Sequence, residues 1–170
     1  MPVITELFHI MADKAGAGLW AHKLIGTTFG AGYCPVAPGT AGAAVALGVW
    51  LVLSAFMPLC DVQVVVTLLT LAFFILGTWS SGVLEGVWGK DPSRVVVDET
   101  VGTWIALMAV PTDDWWYAVA AFVLFRFFDI VKPLGVRRME ALGGGFGIMM
   151  DDVLAGIYSA AVLVVIGLFV

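Results

Sequence analysis

Residues 95–111 read VVVDETVGTWIALMAVP. Two adjacent carboxylates, Asp98 and Glu99, stand where an apolar stretch begins, and Pro111 closes that stretch. A carboxylate in an apolar setting is costly unless it is paired, hydrated or bound to a cation. The run is long enough to predict a helix with both acids in its first turn. Adjacent helical residues point about 100° apart, so two acids can flank one cation. The plainer reading is that acids at a helix N-terminus complement the macrodipole. The uniformly apolar flanks favour the cation.

The same pattern recurs further along the chain. GGGFGIMMDDVLAG, residues 143–156, joins a glycine loop to a second acidic pair, Asp151 and Asp152. Glycine lets backbone approach a ligand closely, although a plain hairpin and helix cap would also use it. FRFFDIVKP, residues 125–133, sets Arg126, Asp129 and Lys132 at i, i+3 and i+6. That is a polar stripe suited to phosphate, or an Arg–Asp pair beside a snorkelling lysine. APGTAG, residues 37–42, offers Gly39, Thr40 and backbone N–H groups at a helix start, a geometry that suits an anion. The alternative there is Thr40 as an ordinary N-cap. Clustered carboxylates with no histidine beside them suit a hard cation such as Mg2+.

Composition sets these acids in a membrane. The 170 residues are 61% hydrophobic and 12% charged, where a soluble domain carries roughly 25% charged residues. Mean hydropathy is +1.03. Five apolar stretches, about 41–57, 62–82, 96–111, 115–131 and 151–170, each approach the ~20 residues that span a bilayer. Prolines at 58, 111 and 133 break them. The expected fold is therefore all-α and polytopic, with about five membrane helices over residues 25–170. Residues 1–24 form an N-terminal interfacial segment, with Val3, Leu7, Ile10 and Met11 on one face of a helix over 3–16. That start lacks a basic region followed by an apolar run, so it does not read as a signal peptide.

Charge fixes the orientation. Lys14, Lys23, Lys90, Arg94, Arg126, Lys132, Arg137 and Arg138 all fall on one side of a five-span alternation. The loops at 58–61 and 111–114 carry only Asp61, Asp113 and Asp114. The positive-inside rule makes the N-terminus cytoplasmic and the C-terminus external. Residues 39–42, Asp98 with Glu99, Asp129, and Asp151 with Asp152 then converge on the cytoplasmic face, which becomes the expected active-site face. Trp115 and Trp116 fall at the outer boundary as interface anchors.

Several functions are excluded. The net charge of −5 without a basic patch argues against nucleic acid. Cys34 and Cys60 form no CxxC pattern, and neither is followed by arginine six positions on, as a cysteine phosphatase requires; Thr40 and Val66 stand there. His9 and His22 lie outside the motifs. A small cation-coupled transporter remains the alternative, although transporters place such acids near the midplane. The sequence leaves the oligomeric state open.

Taken in order, FGAGYCPVAPGTAG, VVVDETVGTWIALMAVPTDDW, FRFFDIVKP and GGGFGIMMDDVLAG resemble the phosphatidylglycerophosphatase A family. The resemblance runs from about Leu24 to the C-terminus. It implies a Mg2+-dependent bacterial inner-membrane lipid phosphatase of phospholipid synthesis. Its substrate would be phosphatidylglycerophosphate and its products phosphatidylglycerol and inorganic phosphate. Asp98, Glu99, Asp129 and Asp152 are the expected catalytic residues. Asp98, Glu99, Asp151 and Asp152 would hold the metal, and Arg126, Lys132, Gly39 and Thr40 the phosphate. A water on the cation is the first choice of nucleophile and an aspartate the second.

Overall fold

The computed structural model describes residues 18–133, 135–139 and 142–169, and among these it is all-helical. Helix α1 covers residues 18–26. A 3-10 turn, Ala31–Tyr33, leads to α2 (Pro38–Phe56), α3 (Leu59–Trp88), α4 (Val97–Leu107), α5 (Trp115–Val131), the short α6 (Val136–Met139) and α7 (Gly144–Gly167). The interfacial helix expected over 3–16 lies outside the described residues.

Among the described residues three helices, α2, α3 and α7, are long and apolar enough to cross a membrane. Helix α5 matches the expected stretch at both ends. Helix α4 is much shorter than its stretch, with 11 residues that rise only about 16 Å. Its surroundings explain why. It packs against α2, α3, α5 and α7, and nine of its residues are buried. After Leu107 the chain continues without helix to Pro111, which lies against Gly167 at the far end of α7. Exposed backbone would be costly at that depth, but the Met108, Ala109 and Val110 N–H groups donate to the Trp104, Ala106 and Leu107 carbonyls, and Gln63 Nε2 donates to the Leu107 carbonyl at 3.1 Å.

Polar ties anchor α4 on its other side. Thr100 Oγ1 donates towards the Gly42 carbonyl at 3.3 Å, and Trp104 Nε1 donates to the Ala46 carbonyl at 3.1 Å, one turn further along both helices. The Thr28 hydroxyl lies 2.8 Å from that of Thr100. His22, outside every motif, has a structural place: Nδ1 is 3.1 Å from Ser80 Oγ and the ring stands edge-on to Trp79.

The glycine segment at 143–147 differs from the loop expected of it. Helix α7 begins at Gly144, so Asp151 and Asp152 sit two turns inside the helix rather than at its start. Glycine is a poor helix former, and here close packing overrides that preference. A Cβ on Gly145 would overlap the Thr78 carbonyl of α3 and lie 2.5 Å from the Gly82 nitrogen. Helices packed this closely need small residues at the contact.

Candidate active site

Three helices, α4, α5 and α7, bring acids to one level, and two of them share a pattern. Asp98 precedes Gly102 by four residues on α4, and Asp152 precedes Gly156 by four on α7. Residues four apart lie one above the other on a helix. A Cβ on Gly102 would sit 2.6 Å from the Asp152 carbonyl, and one on Gly156 would sit 2.5 Å from the Gly102 carbonyl. The bare backbones therefore touch one turn from the acids. One carboxylate oxygen each from Asp98, Glu99 and Asp152 lies within 4.8 Å of the others.

The trio opens on a cleft of about 330 Å³. Helix α2 contributes Gly39, α5 contributes Arg126 and Asp129, and α7 contributes Asp151 and Asp152. Lys132, just past α5, also lines it. Gly39 is buried beneath two charged groups: a Cβ there would overlap Glu99 Oε1 and lie 3.3 Å from Arg126 Nη1. Thr40 is neither an N-cap nor among the lining residues, because Ala37 caps α2 in a left-handed conformation and the helix starts at Pro38.

The expected polar stripe on α5 divides in two. Arg126 Nη1 lies 2.7 Å from Asp129 Oδ2. Lys132 leaves the helix as its C-cap with φ 46°, and Nζ donates to Asp151 Oδ2 at 2.8 Å. Asp151 Oδ1 accepts the Asp152 N–H at 3.0 Å. Both oxygens of Asp151 are thus engaged, and it stands outside the trio although it lines the same cleft.

Two groups in the cleft carry buried atoms with no hydrogen-bond partner among the described residues. Glu99 Oε2 is an acceptor with no donor. Arg126 Nε and Nη1 are donors with no aligned acceptor, since the close Asp129 ion pair is poorly directed for Nη1. Leaving such atoms unsatisfied costs about 1–3 kcal/mol each, more for charged groups. An oxygen acceptor wants a cation here, and a guanidinium wants an anion.

The formal charge agrees. Six carboxylates and two basic side chains line the cleft. A phosphate ester meets an excess of negative charge there, which a further cation would offset. The donor set suits a hard divalent ion such as Mg2+.

One section of the lining carries no motif. Asp91, Pro92 and Ser93, between α3 and α4, form a wall of the cleft. Asp91 adopts φ 47°, and of the five non-glycine residues with positive φ among the described residues, three (Ala37, Asp91 and Lys132) line this one cleft. The Asp-Pro turn directly before VVVDE is the available signal.

The phosphatidylglycerophosphatase A family matches residues 24–167. The chain belongs to this family. Members similar to it include the phosphatidylglycerophosphatase A of Escherichia coli, 37% identical over 85% of this chain and 82% of that protein. The Haemophilus influenzae phosphatidylglycerophosphatase A is 42% identical over 82% of this chain and 85% of its own length. A Bacteroides thetaiotaomicron protein, described provisionally as a phosphatidylinositol-3-phosphatase, is 55% identical over 84% of this chain and 91% of its own length. No solved structure matches the chain. As a phosphatidylglycerophosphatase A family member the chain is a phosphoric monoester hydrolase of the lipid phosphatase type. Its long apolar helices fit a membrane enzyme, and the transporter reading lapses.

Proposed function

We propose that this cleft hydrolyses phosphatidylglycerophosphate to phosphatidylglycerol and inorganic phosphate, with Mg2+, as a step in phospholipid synthesis. The observation that carries the proposal is the opposed pair of unsatisfied groups: Glu99 Oε2 beside Asp98 and Asp152, and Arg126 Nε and Nη1 across the same cleft. The first set would hold the cation. The second would hold phosphate oxygens, with Lys132 beside it.

Bound Mg2+ supplies charge neutralisation at the phosphoryl group and a more acidic water. The protein does the rest by placement. Asp151 holds Lys132 by a 2.8 Å bond, which fixes the ammonium beside the phosphate site. Gly39 keeps α2 low enough for Glu99 and Arg126 to lie over it. Asp129, turned by Arg126 and facing Asp152, takes the proton as water attacks phosphorus. The new P–O bond forms from water, the ester P–O bond breaks, and the lipid alcohol leaves with the proton handed on from Asp129.

The cleft lies at the α2 and α7 N-terminal end of the helices, the end that carries Lys90, Arg94, Arg126 and Lys132. The positive-inside rule supports a cytoplasmic active site in the bacterial inner membrane. The contact of Pro111 with the Gly167 end of α7 supports α4 plus its tail as one of five crossings.

The Bacteroides relative supports a second reading, in which the headgroup is an inositol phosphate. Purified protein in mixed micelles tests both. Phosphate release is measured from phosphatidylglycerophosphate and from phosphatidylinositol 3-phosphate, with Mg2+ or with EDTA. Faster release from the first lipid, abolished by EDTA and restored by Mg2+, is the expected result. Preference for the inositol lipid would move the chain to the second reading, and full turnover in EDTA would end the metal assignment.

A further inference from the structure

A phosphatase of lipid headgroups has to hold an alcohol as well as a phosphate. The groups assigned above account for phosphate and cation, and none of them is left over for hydroxyls. Beside the cleft is a smaller recess of about 80 Å³, lined in part by Asp91 and Asp151, which line the cleft as well. The two spaces therefore meet at these residues.

The recess has the chemistry the cleft lacks. Glu85, near the end of α3, and Lys90 and Asp91 of the following loop line one wall. None of these three side chains makes a hydrogen bond or ion pair among the described residues. The opposite wall is Gly143 and Gly144, with φ 66° and 63° and open space where a Cβ would point. They begin α7, whose first N–H groups have no partner within the helix. Carboxylates accept from hydroxyls, and bare backbone N–H groups donate to them. A sugar-alcohol hydroxyl, which does both, is matched from two sides.

We propose that this recess is a polyol subsite: Glu85 and Asp91 face the free hydroxyl of the headgroup alcohol while its phosphate sits by Arg126 and Lys132. The proposal rests on the lipid-phosphatase reading of the cleft. It assigns Asp91 to headgroup choice rather than to the cation. The left-handed backbone at Asp91 is one that Asn adopts as readily as Asp, so Asp91→Asn keeps the loop. Glu85→Gln changes neither helix propensity nor size.

The test compares two inhibitors of lipid-phosphate hydrolysis by the full-length protein. Inorganic phosphate reports on the phosphate site alone, and glycerol 3-phosphate adds the alcohol. Wild-type protein should bind glycerol 3-phosphate about tenfold more tightly than phosphate, with a Ki ratio to match. Asp91→Asn and Glu85→Gln should each shrink that ratio at least threefold, and Glu85→Gln, whose carboxylate lies outside the cleft, should leave the Ki of phosphate unchanged. Parallel weakening of both inhibitors in the variants would place these residues at the phosphate or the cation and overturn the subsite. So would a wild-type ratio near one, or ratios that survive both substitutions. Wild-type protein that hydrolyses no lipid phosphate would instead overturn the reading of the cleft itself.

Discussion

At the scale of single residues the cleft separates charge from shape. Asp98→Asn, Glu99→Gln and Asp152→Asn keep side-chain volume and remove the negative oxygen a cation needs. Each should lower kcat by about 100-fold or more, the loss typical of removing one preorganised electrostatic contact. Folding should survive, since relieving repulsion among buried acids offsets lost hydrogen bonding. Thermal unfolding in detergent alongside phosphate release checks this, and near-normal turnover in all three variants would take these acids out of the chemistry. Arg126 is tested differently. Arg126→Lys keeps charge but loses the planar fork, and should cost about tenfold in kcat/KM. If Arg126 only neutralises Asp129, the double change Arg126→Gln with Asp129→Asn should recover what Arg126→Gln alone destroys. Recovery would assign the pair to structure and leave phosphate to Lys132.

At the scale of helices, spacing between α4 and α7 decides whether the acids meet. Gly156→Ala puts a Cβ 2.5 Å from the Gly102 carbonyl, where backbone rather than a flexible side chain must give way. Overpacking of this kind costs about 1–3 kcal/mol. The two helices should move apart within a turn of the trio, so the Mg2+ concentration for half-maximal activity should rise as Tm falls. Gly48→Ala is the control, since it lies in α2 with open space around it. Alanine there should be neutral or stabilising by about 0.5–1 kcal/mol, with the Mg2+ requirement unchanged. A Gly156→Ala protein of normal Mg2+ requirement would detach helix spacing from the metal site. The sequence makes much of this site readable, because acids in apolar runs betray themselves one by one. Asp98, Glu99, Asp129 and Asp152 stand out that way, and so do Arg126 and Lys132. What it hides is tertiary. The engagement of Asp151 with Lys132 depends on α5 ending in a left-handed turn, which no periodicity announces. The helical start of α7 is masked by three glycines that read locally as a loop and are held as helix by α3.

For the whole molecule, the question is which way it sits in the bilayer. Its two cysteines provide the measurement. Cys34 is exposed and lies four residues before α2, beside the cleft end; Cys60 is exposed at the start of α3, at the opposite end of α2. Helix α2 has 19 residues, a rise of about 28 Å, close to the ~30 Å of bilayer hydrocarbon. The two thiols should therefore report opposite sides. If the cleft faces the cytoplasm, a membrane-impermeant maleimide added to spheroplasts should label Cys60 and reach Cys34 only after permeabilisation. Single variants Cys34→Ser and Cys60→Ser assign each band. The reverse pattern would turn the molecule over and put the active site outside. Equal labelling from one side would mean that α2 does not cross, and the five-crossing arrangement would fall with it.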